Sequence, residues 1–168
     1  MTMQSTRHDA NPKPELSEKP RVLYLDDDTA NLTSFVANFR HEFDVYTTSN
    51  PVEAYTMIGE LKIQIVITDH NMPSMSGVEF LESISDHYPD VQRILLTGYT
   101  ELVPVMEAIN KGKVFRIISK PFNMKEISRM VIEAWEQFRI VFEREKLIQQ
   151  LKRQNQQFEF ILRQRLLT

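Results

Sequence analysis

The sequence predicts an α/β fold in which five parallel strands form a doubly wound sheet with helices on both faces. Two observations predict this fold. Short apolar segments alternate with segments of helical periodicity over residues 21–137, and repeated strand–helix–strand units build parallel sheets. Four of the predicted strands also run into acidic, hydroxyl or lysine residues, and such sheets bind ligands at the carboxyl ends of their strands.

The predicted strands are short and rich in Val, Ile and Leu, as expected of strands buried on both faces. The first strand ends in three consecutive aspartates, and the third is the most strongly β-branched, so we expect it at the centre of the sheet. The five predicted strands span 21–25, 44–47, 63–68, 93–97 and 114–119.

The predicted helices are placed by the spacing of their apolar residues and by the residues that precede them. Asp28 or Thr29 is expected to cap the first helix, whose apolar residues recur at helical spacing. Asn50 precedes the second helix, which carries Pro51 in its first turn. The predicted helices after the first span 51–60, 78–86, 101–110 and the chain from 124 onwards.

The last predicted helix is unusually long. No Pro or Gly follows Met124, and a helix from there to Thr168 would be about 67 Å long at about 1.5 Å per residue. Asn123 and Glu126 have the spacing of a capping box at its start, with Asn in place of Ser or Thr. We therefore expect a disordered tail over 1–20, a domain over 21–137 and a helical extension over 138–168.

Composition excludes several classes of protein. The 168 residues are 42% hydrophobic, which suits a chain that buries one core. With 23 acidic and 20 basic residues, the net charge of -3 gives no indication of nucleic-acid binding. The absence of cysteine excludes disulfides, zinc–thiolate sites and cysteine nucleophiles. No apolar run suits a membrane span or a signal peptide, so we expect a cytoplasmic protein without membrane contact.

Polar residues at the predicted strand ends indicate a phosphoryl-binding site. Asp26 and Asp27 follow the first strand, and Asp69, Thr97 and Lys120 follow the third, fourth and fifth. Converging carboxylates require a cation, and an oxygen-only ligand set suits Mg²⁺. A lysine and a hydroxyl suit a phosphoryl group, and a carboxylate can attack phosphorus. Each residue alone has an ordinary explanation as a helix cap, turn or surface residue; their joint occurrence favours the site.

Over roughly residues 20–137 the chain resembles the receiver domain of two-component response regulators, which has a flavodoxin-like fold. The resemblance also extends to a subgroup often joined to long helices or enzymatic output domains. The segments that carry it are Val22-Leu-Tyr-Leu-Asp-Asp-Asp28, Val66-Ile-Thr-Asp-His-Asn-Met-Pro73 with Gly77, Leu95-Leu-Thr-Gly98 and Ser119-Lys-Pro-Phe122.

The resemblance implies a magnesium-dependent phosphorylation site. Asp69 matches the phosphoacceptor, which takes a phosphoryl group from the phosphohistidine of a histidine kinase or from a small phosphodonor. Asp27 and Asp69 match direct ligands of Mg²⁺, for which Mn²⁺ can substitute. Asp26 matches an acid that acts through water, and Asn71 the residue whose backbone carbonyl completes the metal site.

The resemblance also implies how phosphorylation is sensed. Thr97 matches the switch hydroxyl and Lys120 the lysine that pairs with the phosphoryl group, and the bond that follows this lysine is cis in family members. Many receivers carry Tyr or Phe three residues before that lysine; here the residue is Ile117, and Phe115 is a candidate substitute on the same strand face. His70 and Tyr99 flank the site and are candidates for tuning the lifetime of the phosphoryl group.

The C-terminal helix carries a heptad pattern. Its predicted coiled-coil seam consists of Ile148, Leu151, Asn155, Phe158 and Leu162. A buried Asn at an a position can fix the register of a parallel coiled coil. Arg144 and Arg165 interrupt the same frame, so a solvated helix or a linker to a further domain is the alternative. We expect a homodimer or docking on a partner, and no direct DNA binding because no helix-turn-helix follows.

The sequence thus predicts a response regulator, whose phosphorylation at Asp69 controls association through the C-terminal helix, and not an enzyme beyond its own phosphorylation and dephosphorylation. The alternative is a receiver-like scaffold that assembles partners through the helix independently of phosphorylation. A carboxylate-nucleophile phosphohydrolase is disfavoured, because such enzymes commonly use Asp-x-Asp and this chain has Asp69-His-Asn71.

Overall fold

Five strands and four helices alternate along the part of the chain that the structure, a computed structural model, describes: residues 18–98, 106, 114 and 116–167. They are β1 (Arg21–Leu25), α1 (Thr29–Phe39), β2 (Asp44–Thr48), α2 (Pro51–Glu60), β3 (Ile65–Asp69), α3 (Gly77–Ser85), β4 (Gln92–Gly98), β5 (Arg116–Lys120) and α4 (Met124–Leu166). Most of the predicted helix over 101–110 lies outside the described residues, and so does most of the predicted tail.

The five strands form one parallel sheet in the order β2-β1-β3-β4-β5. The predicted fold class is therefore confirmed, with β3 at the centre. β3 begins two residues later than predicted. The reason is local: Lys62 adopts a left-handed φ of 54°, and the Ile63 N–H still bonds the Ile58 carbonyl at the end of α2, at 3.2 Å.

Each strand contributes alternate side chains to two apolar layers, because successive residues of a strand point to opposite faces. On one face Leu23 and Val66 pack with residues of α2 and α3. On the other face Val22 and Ile65 pack with residues of α1 and α4. This two-sided burial explains why the strands read as continuous apolar runs and why polar residues collect at the strand ends.

The helix α4 is one continuous element of 43 residues, as predicted. Asn123 caps it by accepting a hydrogen bond from the Glu126 N–H at 2.9 Å. Four buried side chains spaced for one helical face fix its first half to the sheet: Ile127, Val131, Ala134 and Phe138. After Phe138, α4 buries no further residue and extends away from this face. Among the described helices, none is long and apolar enough to cross a membrane.

Candidate functional site

The carboxyl ends of the strands bring together two side chains that lie 51 positions apart in the sequence. Asp69 is the last residue of β3 and Lys120 the last of β5, and the Lys120 ammonium forms an ion pair with Oδ1 of Asp69. The carboxylate is only 7% exposed, whereas the lysine side chain is 40% exposed. The lysine therefore reaches over β4 from the solvent side and supplies the positive charge that a buried carboxylate needs.

The loop after β3 holds the Asp69 carboxylate in one orientation. Its second oxygen, Oδ2, accepts a hydrogen bond from the Asn71 N–H at 3.0 Å. The loop is tied to the sheet by the His70 N–H, which donates to the Leu96 carbonyl at 2.8 Å, and closed by the Gly77 N–H, which donates to the His70 carbonyl at 2.9 Å. One oxygen of Asp69 is thus fixed by the backbone and the other faces Lys120.

Gly77 is required by this loop for reasons of space. A Cβ atom at this position would lie 2.3 Å from the Asp69 carbonyl oxygen and 2.8 Å from Cδ1 of Leu95. The loop packs so closely because Ser76 caps α3 and forms a reciprocal capping box with Glu79. Sequence reasoning placed the start of α3 at residue 78 and missed this box, although Ser76 and Glu79 have the required spacing.

Asp26 lies immediately after β1 and is almost completely buried, with 2% of its surface exposed. Its Oδ2 accepts hydrogen bonds from the Tyr24 hydroxyl and from Nδ2 of Asn31, the latter at 3.0 Å. Its Oδ1 accepts from the Asp28 N–H at 2.8 Å. Three of the four acceptor sites of this carboxylate are therefore already used, and one remains for a further donor such as a metal-bound water.

Tyr24 and Asn31 are the site residues that sequence reasoning missed. Tyr24 occupies an apolar strand position, and its ring packs against Phe35 of α1 with the ring centroids 4.5 Å apart. Burial, and then the hydrogen bond to the carboxylate of Asp26, raise the pKa of the Tyr24 hydroxyl well above its usual value. Its two-residue spacing from Asp26, which places both on one strand face, was the available signal.

The remaining predicted residues of the site lie around these two carboxylates. Asp27 is exposed, and its neighbour Asp28 caps α1 by accepting from the Ala30 N–H at 2.8 Å. Thr97 is 1% exposed at the end of β4, where its hydroxyl lies 3.4 Å from the Gly98 carbonyl.

The predicted lifetime and switch candidates have different surroundings. His70 is half-buried, and its Nδ1 is buried without a hydrogen-bond partner within the described structure. Ile117 packs on the apolar layer shared with α2 and α3. Phe115 and Tyr99 lie outside the described residues. The Lys120–Pro121 peptide bond is cis, as the resemblance implies.

The donor chemistry of the site fits a hard cation that takes few protein ligands. Asp26 and Asp69 are buried carboxylates and Asp27 is exposed, and all three offer only oxygen, the ligand type that Mg²⁺ prefers. Across the described residues, no three His, Cys, Asp or Glu side chains are grouped closely enough to hold a metal by themselves.

The predicted seam of the C-terminal helix is exposed. Ile148, Leu151, Phe158 and Leu162 have 39%, 60%, 70% and 53% of their surface accessible. These side chains therefore belong to a surface that the rest of the described chain does not cover.

Solved structures of other proteins have the same architecture. The chain superposes on a structure of adenylate cyclase from Rhodopirellula baltica with a TM-score of 0.75 and 30% identity, covering 78% of this chain and 98% of that one. A response regulator receiver domain protein from Clostridium thermocellum gives a TM-score of 0.68 at 26% identity, covering 73% of this chain and 98% of that one.

Curated relatives are longer proteins. The hydrogenase transcriptional regulatory protein HoxA of Cupriavidus necator is 28% identical over 67% of this chain and 24% of its own length. The DNA-binding transcriptional regulator NtrC of Azospirillum brasilense is 30% identical over the same two fractions, 67% and 24%. The chain thus spans about a quarter of the length of these relatives. Residues 22–132 match the family model of the response regulator receiver domain. The chain therefore belongs to the response regulator receiver domain family.

Proposed function

We propose that this receiver accepts a phosphoryl group on Asp69 from the phosphohistidine of a sensor histidine kinase or of a phosphotransfer protein, and acts as a signalling switch in the cytoplasm. The observation that carries the proposal is the ion pair between the buried Asp69 carboxylate and Lys120 at the ligand-binding edge of the sheet. A buried carboxylate there, oriented by the backbone and neutralised by a mobile ammonium, suits a nucleophile that must accept a dianionic group.

The two oxygens of Asp69 have different tasks in this proposal. The Asn71 N–H holds Oδ2, so Oδ1, which faces Lys120, attacks phosphorus. The bond from Oδ1 to phosphorus forms as the phosphorus–nitrogen bond of the donor breaks, and the donor imidazole leaves with the electron pair. The Lys120 ammonium then pairs with a phosphoryl oxygen instead of Oδ1, which stabilises the charge of the transferred group.

Asp27, Asp69 and the backbone carbonyl of Asn71 are the proposed direct ligands of Mg²⁺, and Asp26 acts through a water. Bound Mg²⁺ supplies neutralisation of the phosphoryl oxygens during transfer. Asp26 suits an indirect role because it is buried and three protein donors already occupy its oxygens. Asp27 suits a direct role because its carboxylate is exposed.

The switch that follows phosphorylation is proposed to involve Thr97 and Lys120. A shift of about 2–3 kcal/mol is enough to move a minority conformation into dominance. Ile117 packs among apolar residues of the α2 and α3 layer, so it offers no aromatic ring to report the movement of Thr97. Phe115 stays the proposed aromatic partner of the switch, and Lys120 is the proposed second route of coupling to the rest of the molecule.

The output is proposed to be homodimerisation or partner docking through the exposed half of α4. The apolar side chains of this half have no cover in the described chain, and an isolated helix is marginal in water without packing. The same exposure supports the second candidate, a scaffold that assembles partners whether or not Asp69 is phosphorylated. The helix does not carry the features of a DNA-binding motif, and no direct DNA contact is proposed.

Beryllofluoride binding tests the phosphorylation proposal. The wild-type chain is expected to bind one beryllofluoride in the presence of Mg²⁺ and to incorporate one phosphoryl group from a small phosphodonor such as acetyl phosphate. Asp69→Asn is expected to do neither. Asp44→Asn is the matched control, because Asp44 is an exposed aspartate at the opposite end of the sheet, at the start of β2. Equal incorporation by the wild type and Asp69→Asn would contradict the assignment of the phosphoacceptor.

A further inference from the structure

The distal part of α4 carries an exposed apolar stripe. The last residue that α4 buries on the sheet is Phe138, and the helix continues to Leu166. The exposed or nearly exposed apolar residues that fall on one face of this part are Ile140, Val141, Leu147, Ile148, Leu151, Phe158, Ile161 and Leu162. We call these residues the distal stripe. They occupy the a, d and g positions of one heptad frame in which Ile148 and Leu162 are at a.

We propose that the distal stripe pairs with a second copy of this chain in antiparallel orientation, with Ile148 packed against the second copy's Leu151. The inference rests on the proposed homodimerisation through α4 and adds its orientation and register. It replaces the parallel coiled coil that the position of Asn155 alone suggests.

Two arginines argue against a parallel pair. Arg144 and Arg165 occupy d positions of the frame. In a parallel dimer each d residue faces its own copy, so two guanidinium groups would meet at each of these levels of the seam. In an antiparallel dimer an a residue faces a d residue from elsewhere in the partner, and neither arginine meets itself.

One antiparallel register pairs most of the stripe with apolar residues, while Leu162 faces the second copy's Gln137. When Ile148 faces the second copy's Leu151, Val141 faces the second copy's Phe158, and the two interrupting polar residues, Arg144 and Asn155, face each other across the pair. The amide oxygen of Asn155 can accept a hydrogen bond from the guanidinium. The same register places Ile140 beside the second copy's Ile161 at the g positions. Arg144 and Asn155, which interrupt the parallel seam, therefore face each other in the antiparallel one.

Charge complementarity points the same way. Residues 146–168 carry five basic residues and one acidic residue, whereas residues 124–145 carry four basic and five acidic. Parallel pairing would place the two copies of residues 146–168, each of charge +4, side by side. Antiparallel pairing places residues 146–168 of each copy beside residues 124–145 of the other, which have a charge of -1. In the proposed register Glu145 lies beside the second copy's Lys152 at the flanking e positions. This contact is attractive at moderate ionic strength.

Cysteine cross-linking tests the orientation directly, because the chain has no cysteine of its own. Val141→Cys and Phe158→Cys are co-expressed on chains with different affinity tags, and the disulfide products are separated by mass after mild oxidation. The mixed disulfide between residues 141 and 158 is expected to exceed both same-residue disulfides at least ten-fold. In the proposed register the two copies of residue 141 lie about 26 Å apart, far beyond disulfide reach.

The control pair is Gln149→Cys with Gln150→Cys, which lies at the same level of the register but on the outward b and c positions; it is expected to cross-link only at the background rate. A predominance of same-residue disulfides in a dimeric protein would overturn the antiparallel inference and leave homodimerisation standing. A monomer by light scattering at tens of micromolar, both with and without beryllofluoride and Mg²⁺, would overturn homodimerisation itself and the inference with it.

A charge reversal gives a second, independent readout. Glu145→Lys and Lys152→Glu are each expected to raise the dimer dissociation constant roughly five-fold, because each creates two like-charge pairs. The double variant is expected to restore the wild-type constant, because the pairs are remade with the signs exchanged. In a parallel dimer these residues flank apolar g positions, Ile140 and Leu147, so absence of restoration would overturn the proposed register.

Discussion

Tyr24 donates a hydrogen bond from its phenolic hydroxyl to Oδ2 of Asp26, two residues further along the same strand face. The ring is held against Phe35 of α1, so the strand and the first helix together decide where the carboxylate points. Asn31, from the first turn of that helix, donates to the same oxygen at 3.0 Å. The acidic edge of this receiver is thus shaped by residues that do not themselves carry charge.

Removing the tyrosine hydroxyl is expected to weaken metal binding. In Tyr24→Phe the ring keeps its packing but Asp26 loses one of three donors, so the carboxylate is less firmly oriented toward a metal-bound water. Loss of such an outer partner commonly costs roughly ten-fold or more in metal affinity. Calorimetric titration with Mg²⁺ measures this effect directly. The control is Tyr55→Phe, since Tyr55 packs on His87 and Tyr88 away from the site. A dissociation constant within two-fold of wild type in Tyr24→Phe would show that Asp26 does not depend on this hydroxyl.

Removing the charge of Lys120 is expected to affect metal binding and phosphorylation in opposite directions. Lys120→Met keeps the length of the side chain but leaves Oδ1 of Asp69 without its ammonium partner. The unneutralised carboxylate is expected to bind Mg²⁺ several-fold more tightly, because a competing positive charge has gone. Phosphorylation by acetyl phosphate is expected to slow by about 10²-fold, because the charge that stabilises the transferred group is lost. The two measurements together test the role of Lys120. If Lys120→Met weakened Mg²⁺ binding as well as slowing phosphorylation, Lys120 would act by stabilising the fold.

A methyl group at Gly77 is expected to disturb the loop that carries Asp69. The added Cβ would lie 2.3 Å from the Asp69 carbonyl oxygen, so Gly77→Ala should lower the free energy of unfolding by about 1–3 kcal/mol and slow phosphorylation. Urea denaturation and acetyl phosphate labelling measure the two effects. Gly59→Ala is the control, because its Cβ would meet only the far end of the Tyr88 side chain, at 2.8 Å from the hydroxyl. If both variants were equally stable, the close approach at Gly77 would not constrain the loop.

The capping box of α3 should give the protein a pH-dependent component of stability. Hydrogen bonds from the Ser76 backbone and side chain lower the pKa of the Glu79 carboxyl below its ordinary value of 4.5. The folded state therefore favours the ionised carboxyl, and the stabilisation is present above pH 4.5 and is lost as pH falls through the lowered pKa. Wild type should melt at a higher temperature than Glu79→Gln at pH 7, and the two melting temperatures should converge in the acid range. If the difference between the two melting temperatures stayed constant into the acid range, ionisation of Glu79 would not contribute to stability.

The sequence predicted the sheet and most helix ends because these depend on local patterns. Apolar runs on the strands and caps such as Asp28, Asn50 and Asn123 each lie within a few residues of what they determine. The convergence of Asp69 and Lys120 was also predictable, because a parallel sheet places all strand ends at one edge.

The remaining features depend on contacts between distant elements or on single backbone angles. The late start of β3 follows from the positive φ of Lys62. A lysine in the sequence does not predict a positive φ. Tyr24 reads as an apolar strand residue, and its role emerges only where the ring meets Phe35 of α1. The roles of the site residues and the pairing of α4 stay predictions, because they concern a metal, a phosphoryl group and a second chain.

Light scattering with and without beryllofluoride tests the central claim most directly, since it measures the phosphorylation site, the helix and their coupling at once. In the presence of Mg²⁺, addition of beryllofluoride is expected to change the weight-average mass of the wild-type chain, and to leave that of Asp69→Asn unchanged. A wild-type mass that stays the same while beryllofluoride binds would contradict phosphorylation-controlled association and favour the constitutive scaffold.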